Sequence, residues 1–496
     1  MKRVLFGIKS SPIEPLGLLH LSSVARQEGY EPKIITIPDH DFKNVDGIIS
    51  ETNPEYVGFT VYTGNHLQTF NYLDYLRKRK PELKTILGGP HPTFFPADSS
   101  KHADYVVLSE GFNGLRQILR GNAQKGIIPL SAQESFPPSD REQFYRDYPK
   151  HKSSPIKSVI TQTGCPYRCT YCYNSCTLET IADSLDPAQR EIMLRTLSPS
   201  RNLFPKSRRS VTEILNEVED IKRISPETKM IYFQDDVFGT DLNWVREFSQ
   251  KYPSIGLPFH AQLRFEFADP DNSSARERIE RLREAGCTGL TFAIESSNPI
   301  IRREILNRQM NEDLIFRVMS NLRKQGYKVR TEQMLGLPCG ATTEETKINL
   351  ESDLETLELN VKLTEQTGLP TLAWASIFAP YRGTKLGDYC REHGFYSGGN
   401  DDVPDTFFQR SVLNFPRKWV GPILSADKKE SWLPQNELEE YRNKMQLLRD
   451  LFNYFALIPK GHELARAFIN QRDNTFFGLS ETTHRHLYDA VLYDVR

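Results

Sequence analysis

The 496-residue sequence has no excess of basic charge: 63 Lys and Arg stand against 64 Asp and Glu, a net charge of −1. Proteins that grip nucleic acid through its phosphates normally carry a basic surplus, so that class of partner is not expected. No stretch approaches the roughly 20 consecutive apolar residues that a membrane span requires. The opening apolar run, Val4 to Ile8, is too short for the core of a secretion signal and reads as a first strand. Seven cysteines without repeated pairing do not describe a secreted disulfide framework, so a reducing cytoplasm is the expected compartment. No paired histidines and no second C-x-x-C follow, which removes the usual four-ligand zinc pattern. What is present is a long chain, 38% hydrophobic and 26% charged, enough for two to four soluble cores.

The cysteines are concentrated in Cys165-Pro166-Tyr167-Arg168-Cys169-Thr170-Tyr171-Cys172, just after the strand-like run Ser158-Val159-Ile160. Clustered thiolates are soft ligands that select zinc, copper(I) or iron–sulfur clusters. Three on one loop would leave one iron of a [4Fe–4S] cube without a protein ligand, and an open metal position can bind a small molecule. Cys287, Cys339 and Cys390 stand apart, and a fourth thiolate from Cys176 would close that iron. A non-enzymatic module holding zinc or a structural cluster is the alternative from a different class.

C-x₃-C-x₂-C with Tyr171 before the last cysteine resembles the signature of the radical S-adenosylmethionine (SAM) enzymes. The resemblance implies that Cys165, Cys169 and Cys172 hold a [4Fe–4S] cluster whose open iron chelates SAM. It also implies a 5′-deoxyadenosyl radical made by reductive cleavage, oxygen sensitivity, and an electron donor such as flavodoxin or ferredoxin.

Residues 1–125 alternate strands with helical segments, the pattern of a doubly wound, Rossmann-like parallel sheet. Ligands of such sheets gather at the carboxyl ends of the strands. That edge would carry Ser10 and Pro12, Thr60 and Thr63, Gly88, Gly89, His91 and Thr93, and Glu110 and Gly111. With Leu16 and Gly17, these runs resemble the cobalamin-binding domain that precedes many radical SAM cores, which implies that these residues bind cobalamin. The D-x-H-x-x-G motif of the methionine-synthase type is absent, and Asp39-His40-Asp41 lacks its spacing, so the resemblance implies cobalamin held without a histidine ligand. The bland reading of this region is a vestigial Rossmann-like domain that binds nothing or serves only substrate docking. Residues 126–157, rich in Pro, Ser, Asp and Arg, read as a linker.

Residues 158–396 alternate six strands with helices, as in a partial (β/α)₆ barrel. Cys176 to Arg208 reads as an insertion near the active site, and Ser210 as the N-cap of a helix from Val211 to Ile224. Asp235 lies in a segment resembling the family's F-x-D-D-x-F, Glu295 in one resembling G-x-E-S, and Arg308 in one resembling its L-x-R turn. The resemblance implies that Tyr171, Asp235, Glu295, Arg308 and Gln333 orient SAM. Gly336-Leu337-Pro338-Cys339-Gly340 departs from the family's G-L-P-G-E and lacks its acidic residue. Residues 397–496 read as a mostly helical cap, dense in aromatics such as Phe407, Phe408, Trp419, Trp432, Tyr441, Phe452, Tyr454 and Phe455.

The function these readings imply is a cobalamin-dependent radical SAM enzyme that methylates an unactivated carbon of a small molecule. A non-methylating rearrangement, cyclisation or oxidation with the same cofactors is the alternative. Neither the substrate nor a catalytic proton-transfer residue is readable.

Overall fold

The computed structural model describes residues 2–38, 41–132, 134–197, 202–204, 206–338, 350–399, 401–406, 409–415 and 432–469. Its contacts divide the chain into two units, Met1–Tyr167 with Tyr173–Gln234, and Arg168–Cys172 with Asp235–Arg496. Cys339 to Thr342, Asp39, His40, Phe407, Phe408 and Trp419 lie outside the described residues.

The first unit is built on β1 (Lys2–Lys9), β2 (Tyr30–Ile37), β3 (Tyr56–Thr60), β4 (Lys84–Gly88), β5 (Tyr105–Val107) and β6 (Gly126–Ile128). They form a sheet in the order β2-β1-β3-β4-β5-β6, with parallel pairing throughout. Strands buried on both faces need continuous apolar runs, and Val4, Leu5 and Phe6 are buried in sequence on β1. The direction in which successive strands are added reverses at β1, which has β2 on one side and β3 on the other. Such a switch point opens a crevice at the carboxyl edge. One face of the sheet packs Phe6, Leu18, Ile86, Phe112 and Leu115, and the other packs Leu5, Val57, Phe59, Leu73 and Leu87.

One sequence expectation is corrected here. The segment 126–157 is not a linker: its first three residues form the sixth strand, and Phe136, Phe144 and Tyr145 are buried in the core of that sheet. The segment 176–208, expected as an insertion near the active site, contributes to the core of this unit. Cys176, Leu178, Ile181, Met193, Leu197 and Leu203 bury themselves in the apolar face formed by Leu5, Val57 and Leu73. This unit also contains the parallel pair β7 (Ile156–Val159) and β8 (Met230–Phe233). Ser210 caps the helix Val211–Ile224 through a capping box with Glu213, as expected.

A buried charge network surrounds His20 in this unit and contributes to its pH response. Arg141 pairs with Glu14 (3.0 Å) and Glu217 (2.8 Å), and Arg209 also reaches Glu217. His20, buried against Phe112 and Phe136, donates its Nδ1 proton to the Pro137 carbonyl at 2.7 Å. Burial, reinforced by Arg209 and Arg141 and opposed by Glu217, pushes its pKa down to about 4. The unfolded chain therefore takes up this proton first, and stability falls as pH drops from about 6.5 toward 4. The loss should reach about 3 kcal/mol over that window. Urea unfolding at pH 7 and pH 4 measures it, and His20→Gln, which keeps a donor and cannot titrate, should remove that share of the slope.

The second unit carries β9 (Phe259–Leu263), β10 (Cys287–Glu295), β11 (Lys328–Leu335) and β12 (Leu372–Ile377), parallel and in chain order. Helices Ser273–Glu284, Glu312–Lys324 and Leu350–Thr367 separate them, which is the β/α alternation of a partial barrel. Helix Gln435–Ala456 packs along β12, where Asn453 Oδ1 accepts the Ala373 amide at 3.0 Å. Tyr441 and Phe452 are core residues beside Leu335 and Ala375, whereas Trp432 and Tyr454 are 42% and 48% exposed. The fold class is thus α/β: a Rossmann-like sheet, a partial barrel and a mostly helical C-terminal region. Among the described residues no helix is long and apolar enough to cross a membrane.

Candidate active site

The carboxyl edge of the first sheet opens into a narrow, mostly apolar slot of about 60 Å³. Of the residues expected there, Thr60, Gly88, Gly89, Glu110 and Gly111 line it. Gly89 has φ +96°, and a Cβ would stand 2.9 Å from Thr60 Cγ2 and 3.1 Å from the Val61 amide. Only glycine lets the chain turn against β3 there. Ser10, Pro12 and Gly17 are exposed and Leu16 is half-buried, all outside the slot lining.

The remaining expected residues, Thr63, His91 and Thr93, are hydrogen-bonded within the protein and lie outside the slot lining. Thr93 donates to the Gly89 carbonyl (2.8 Å) and accepts the Ser109 amide (3.0 Å). His91 is fully buried, stacked on His66 at 4.0 Å, with Nδ1 3.0 Å from Thr63 Oγ1. Burial, then His66, pushes its pKa down to about 2, so it stays neutral. Sequence reasoning missed Gly58, Leu21, Ser109 and Leu115, which also line the slot. The available signal was Gly58: a glycine inside a strand marks a close approach.

Glu110 is the polar exception in this slot. Neither carboxylate oxygen has a partner at hydrogen-bond geometry. Burial raises its pKa to about 7, partly offset by the nearby Glu134 amide. Tyr173, which follows Cys172 in sequence, stacks on Phe94 with centroids 4.0 Å apart and has its hydroxyl 3.4 Å from Thr63 Oγ1.

The cysteine loop begins with Gly164 at φ +72°, where a Cβ would stand 2.7 Å from the Phe204 carbonyl oxygen. Gly164→Ala should therefore cost about 1–3 kcal/mol, read as a lower urea midpoint. Asn202 donates to the Cys165 carbonyl at 2.8 Å. In the second unit, Thr170 donates through its amide to the Leu306 carbonyl (3.3 Å), and Asn307 Nδ2 donates to the Arg168 carbonyl (2.9 Å).

Around that loop the second unit gathers charge. The Tyr171 hydroxyl donates to Glu295 Oε1 at 2.7 Å, and Arg308 Nη1 reaches the same carboxylate (3.3 Å) and the Tyr171 oxygen (3.1 Å). Arg308 Nη2 donates to the Ala293 carbonyl at 2.6 Å, while its Nε has no partner. Burial raises the Glu295 pKa against the pull of Arg308. It also raises that of Tyr171, where the Glu295 charge adds to it. Burial opposes the Arg308 charge, but Tyr171 and Glu295 hold its pKa above the ordinary range. Arg264 donates to Cys169 Sγ at 3.5 Å and to Glu266 at 2.8 Å.

A bulge between Ala293 and Glu295, with Glu295 at φ +67°, turns this carboxylate off the regular strand alternation. Asp235 is fully buried. Gln333 is not brought to this group: its amide donates to the Trp374 carbonyl (2.9 Å), next to Thr331, which bonds Asn360 of the outer helix. Its neighbour Glu332 occupies the opposite face of β11 with Arg330 and Met334. At the end of β11, Asp353 accepts the Gly336 amide at 3.0 Å.

The donor set suits a cluster: Cys165, Cys169 and Cys172 are all outside disulfides. Among the described residues no three His, Cys, Asp or Glu side chains converge to hold a single metal ion. A cube makes no such demand, because each thiolate ligates its own iron. The slot, apolar with an orphaned carboxyl, suits a flat heteroaromatic tail.

Residues 5–119 match the family model for the B12 binding domain, and residues 159–347 match that for the Radical SAM superfamily. An uncharacterized methyltransferase of Pyrococcus horikoshii is 24% identical over 76% of this chain and 78% of its own. Cytidylyl-2-hydroxyethylphosphonate methyltransferase of Streptomyces wedmorensis is 23% identical over 83% and 84%. The fold is similar to that of TsrM from Kitasatospora setae, a radical SAM methyltransferase solved with cobalamin and a [4Fe–4S] cluster bound. That likeness has a TM-score of 0.55 and 15% identity, and covers 79% of this chain and 75% of the other. The chain belongs to the cobalamin-dependent radical SAM enzymes, with a [4Fe–4S] cluster, SAM and cobalamin as its cofactors.

Proposed function

We propose that this enzyme is a C-methyltransferase acting on an unactivated carbon of a small-molecule substrate. The observation that carries the reading is the coexistence, in one chain, of a slot at the first sheet's edge and three thiols outside disulfides at C-x₃-C-x₂-C. The methyltransferase names of the two relatives support the transfer of a methyl group.

Cys165, Cys169 and Cys172 would hold the cluster as thiolates, with Arg264 balancing charge at Cys169. Tyr171, Glu295 and Arg308 form a preorganised buried set that would orient SAM, joined by Asp235 and, in place of Gln333, by Glu332. Thr60, Gly88, Gly89, Glu110 and Gly111 would receive the cobalamin tail. When bound, the cluster and SAM supply the radical that removes a substrate hydrogen, and cobalamin supplies the methyl group. A reductase such as flavodoxin or ferredoxin would serve as electron donor from the cytoplasm.

The test is anaerobic turnover of the loaded enzyme with reductant, methyl-deuterated SAM and a panel of candidate small molecules. Formation of S-adenosylhomocysteine, 5′-deoxyadenosine and a trideuteromethyl product is expected. 5′-Deoxyadenosine without S-adenosylhomocysteine or labelled product would overturn methylation in favour of rearrangement, cyclisation or oxidation.

A further inference from the structure

Glu110 is an unusual group to find in the slot of the first sheet. Phe6, Leu18, Leu21, Ile86, Val107 and Leu115 make most of its wall apolar. Both Glu110 oxygens are buried without a partner. Its acidic neighbour Glu134 is already engaged by Asn113 (3.2 Å) and Arg116 (3.2 Å), so no cation comes to Glu110 through it. A buried polar group left without a partner is destabilising, so a ligand that completes this one gains selectively.

The wall chemistry defines the ligand. An apolar slot takes a flat ring, and a carboxyl whose protonated form is favoured by burial can donate one hydrogen bond. The complement is an aromatic ring carrying an unsubstituted nitrogen acceptor. The nucleotide base of cobalamin is such a ring, because its benzimidazole nitrogen is a free acceptor whenever it is not bound to cobalt. We propose that Glu110 is a specificity-determining residue that donates a hydrogen bond to the free ring nitrogen of the corrinoid's base. The chain thereby selects corrinoids with a nitrogenous base over those with a phenolic base or none. This inference rests on cobalamin binding by the first unit.

The experiment is equilibrium dialysis of the full chain, anaerobically reconstituted, against three cobalt(II) corrinoids: cobalamin, a cobamide with a phenolic base, and cobinamide, which lacks the tail. The wild type should bind cobalamin roughly tenfold tighter than the phenolic cobamide, the equivalent of one buried hydrogen bond. Glu110→Leu should bring that ratio to about one while leaving cobinamide affinity unchanged, and Glu110→Gln, whose amide can donate the same bond, should keep most of the preference. Equal wild-type affinity for cobalamin and the phenolic cobamide, or a preference that survives Glu110→Leu, would overturn the proposal. Should Glu110→Leu bind no corrinoid at all, Glu110→Gln decides: preference retained supports the hydrogen bond, and preference lost overturns it. A wild type that retains none of the three would instead overturn the cobalamin reading itself.

Discussion

Replacing any one of Cys165, Cys169 or Cys172 by alanine is expected to lower the iron retained after anaerobic reconstitution from about four per chain to below about one. SAM cleavage, read as 5′-deoxyadenosine, should vanish in the same variants. A cube with one iron already open tolerates no further loss of ligands. The controls are the cysteines outside the motif. Cys176 is packed among Leu178, Ile181 and Leu203, and Cys287 and Cys390 are fully buried in the second unit. Burial drives the thiol pKa of Cys390 up to about 12, and that of Cys287 also up, which keeps both protonated and poor metal ligands. Alanine at Cys176, Cys287 or Cys390 should leave the iron content unchanged. Iron lost from Cys176→Ala would instead indicate a four-thiolate site with no room for SAM.

The second large effect is expected at Arg308. Its guanidinium is 4% exposed and contacts Glu295, Tyr171 and the Ala293 carbonyl. Arg308→Met leaves the Glu295 carboxylate buried without its cation. Breaking one side of a buried pair typically costs about 3–5 kcal/mol, chiefly through the stranded charge. The double variant Arg308→Met, Glu295→Gln removes both charges and should recover a large part of that loss. Tyr171→Phe removes one hydrogen bond and should cost about 1 kcal/mol. Urea unfolding of the four proteins measures these values. A double variant no more stable than Arg308→Met would show that the two groups are not coupled.

Much of this architecture was legible because parallel strands buried on both faces write continuous apolar runs, as in Val4-Leu5-Phe6 and Tyr56 to Thr60. The cysteine loop was legible because thiolate spacing is dictated by the cluster rather than by packing. Residues 126–157 were misread for the converse reason. A three-residue strand carries almost no periodicity, and anchors such as Phe144 are single aromatics among charges. The choice between Glu332 and Gln333 was not readable, since a one-residue difference exchanges the two faces of a strand. The bulge at Ala293 and Glu295 breaks the alternation by which the neighbouring strand could have been aligned. His91 drew attention as a possible ligand-edge residue, and nothing local to the sequence announces that the chain folds it beneath that edge against His66 and Phe70.

The central claim is that one chain carries both a cluster and a corrinoid. The most direct test is anaerobic reconstitution with iron, sulfide and hydroxocobalamin, desalting, and assay of iron and cobalt on the same sample. The account predicts about four irons and about one cobalt per chain. Iron retained without cobalt would contradict it, reducing the first sheet to a docking domain beside an ordinary radical SAM core.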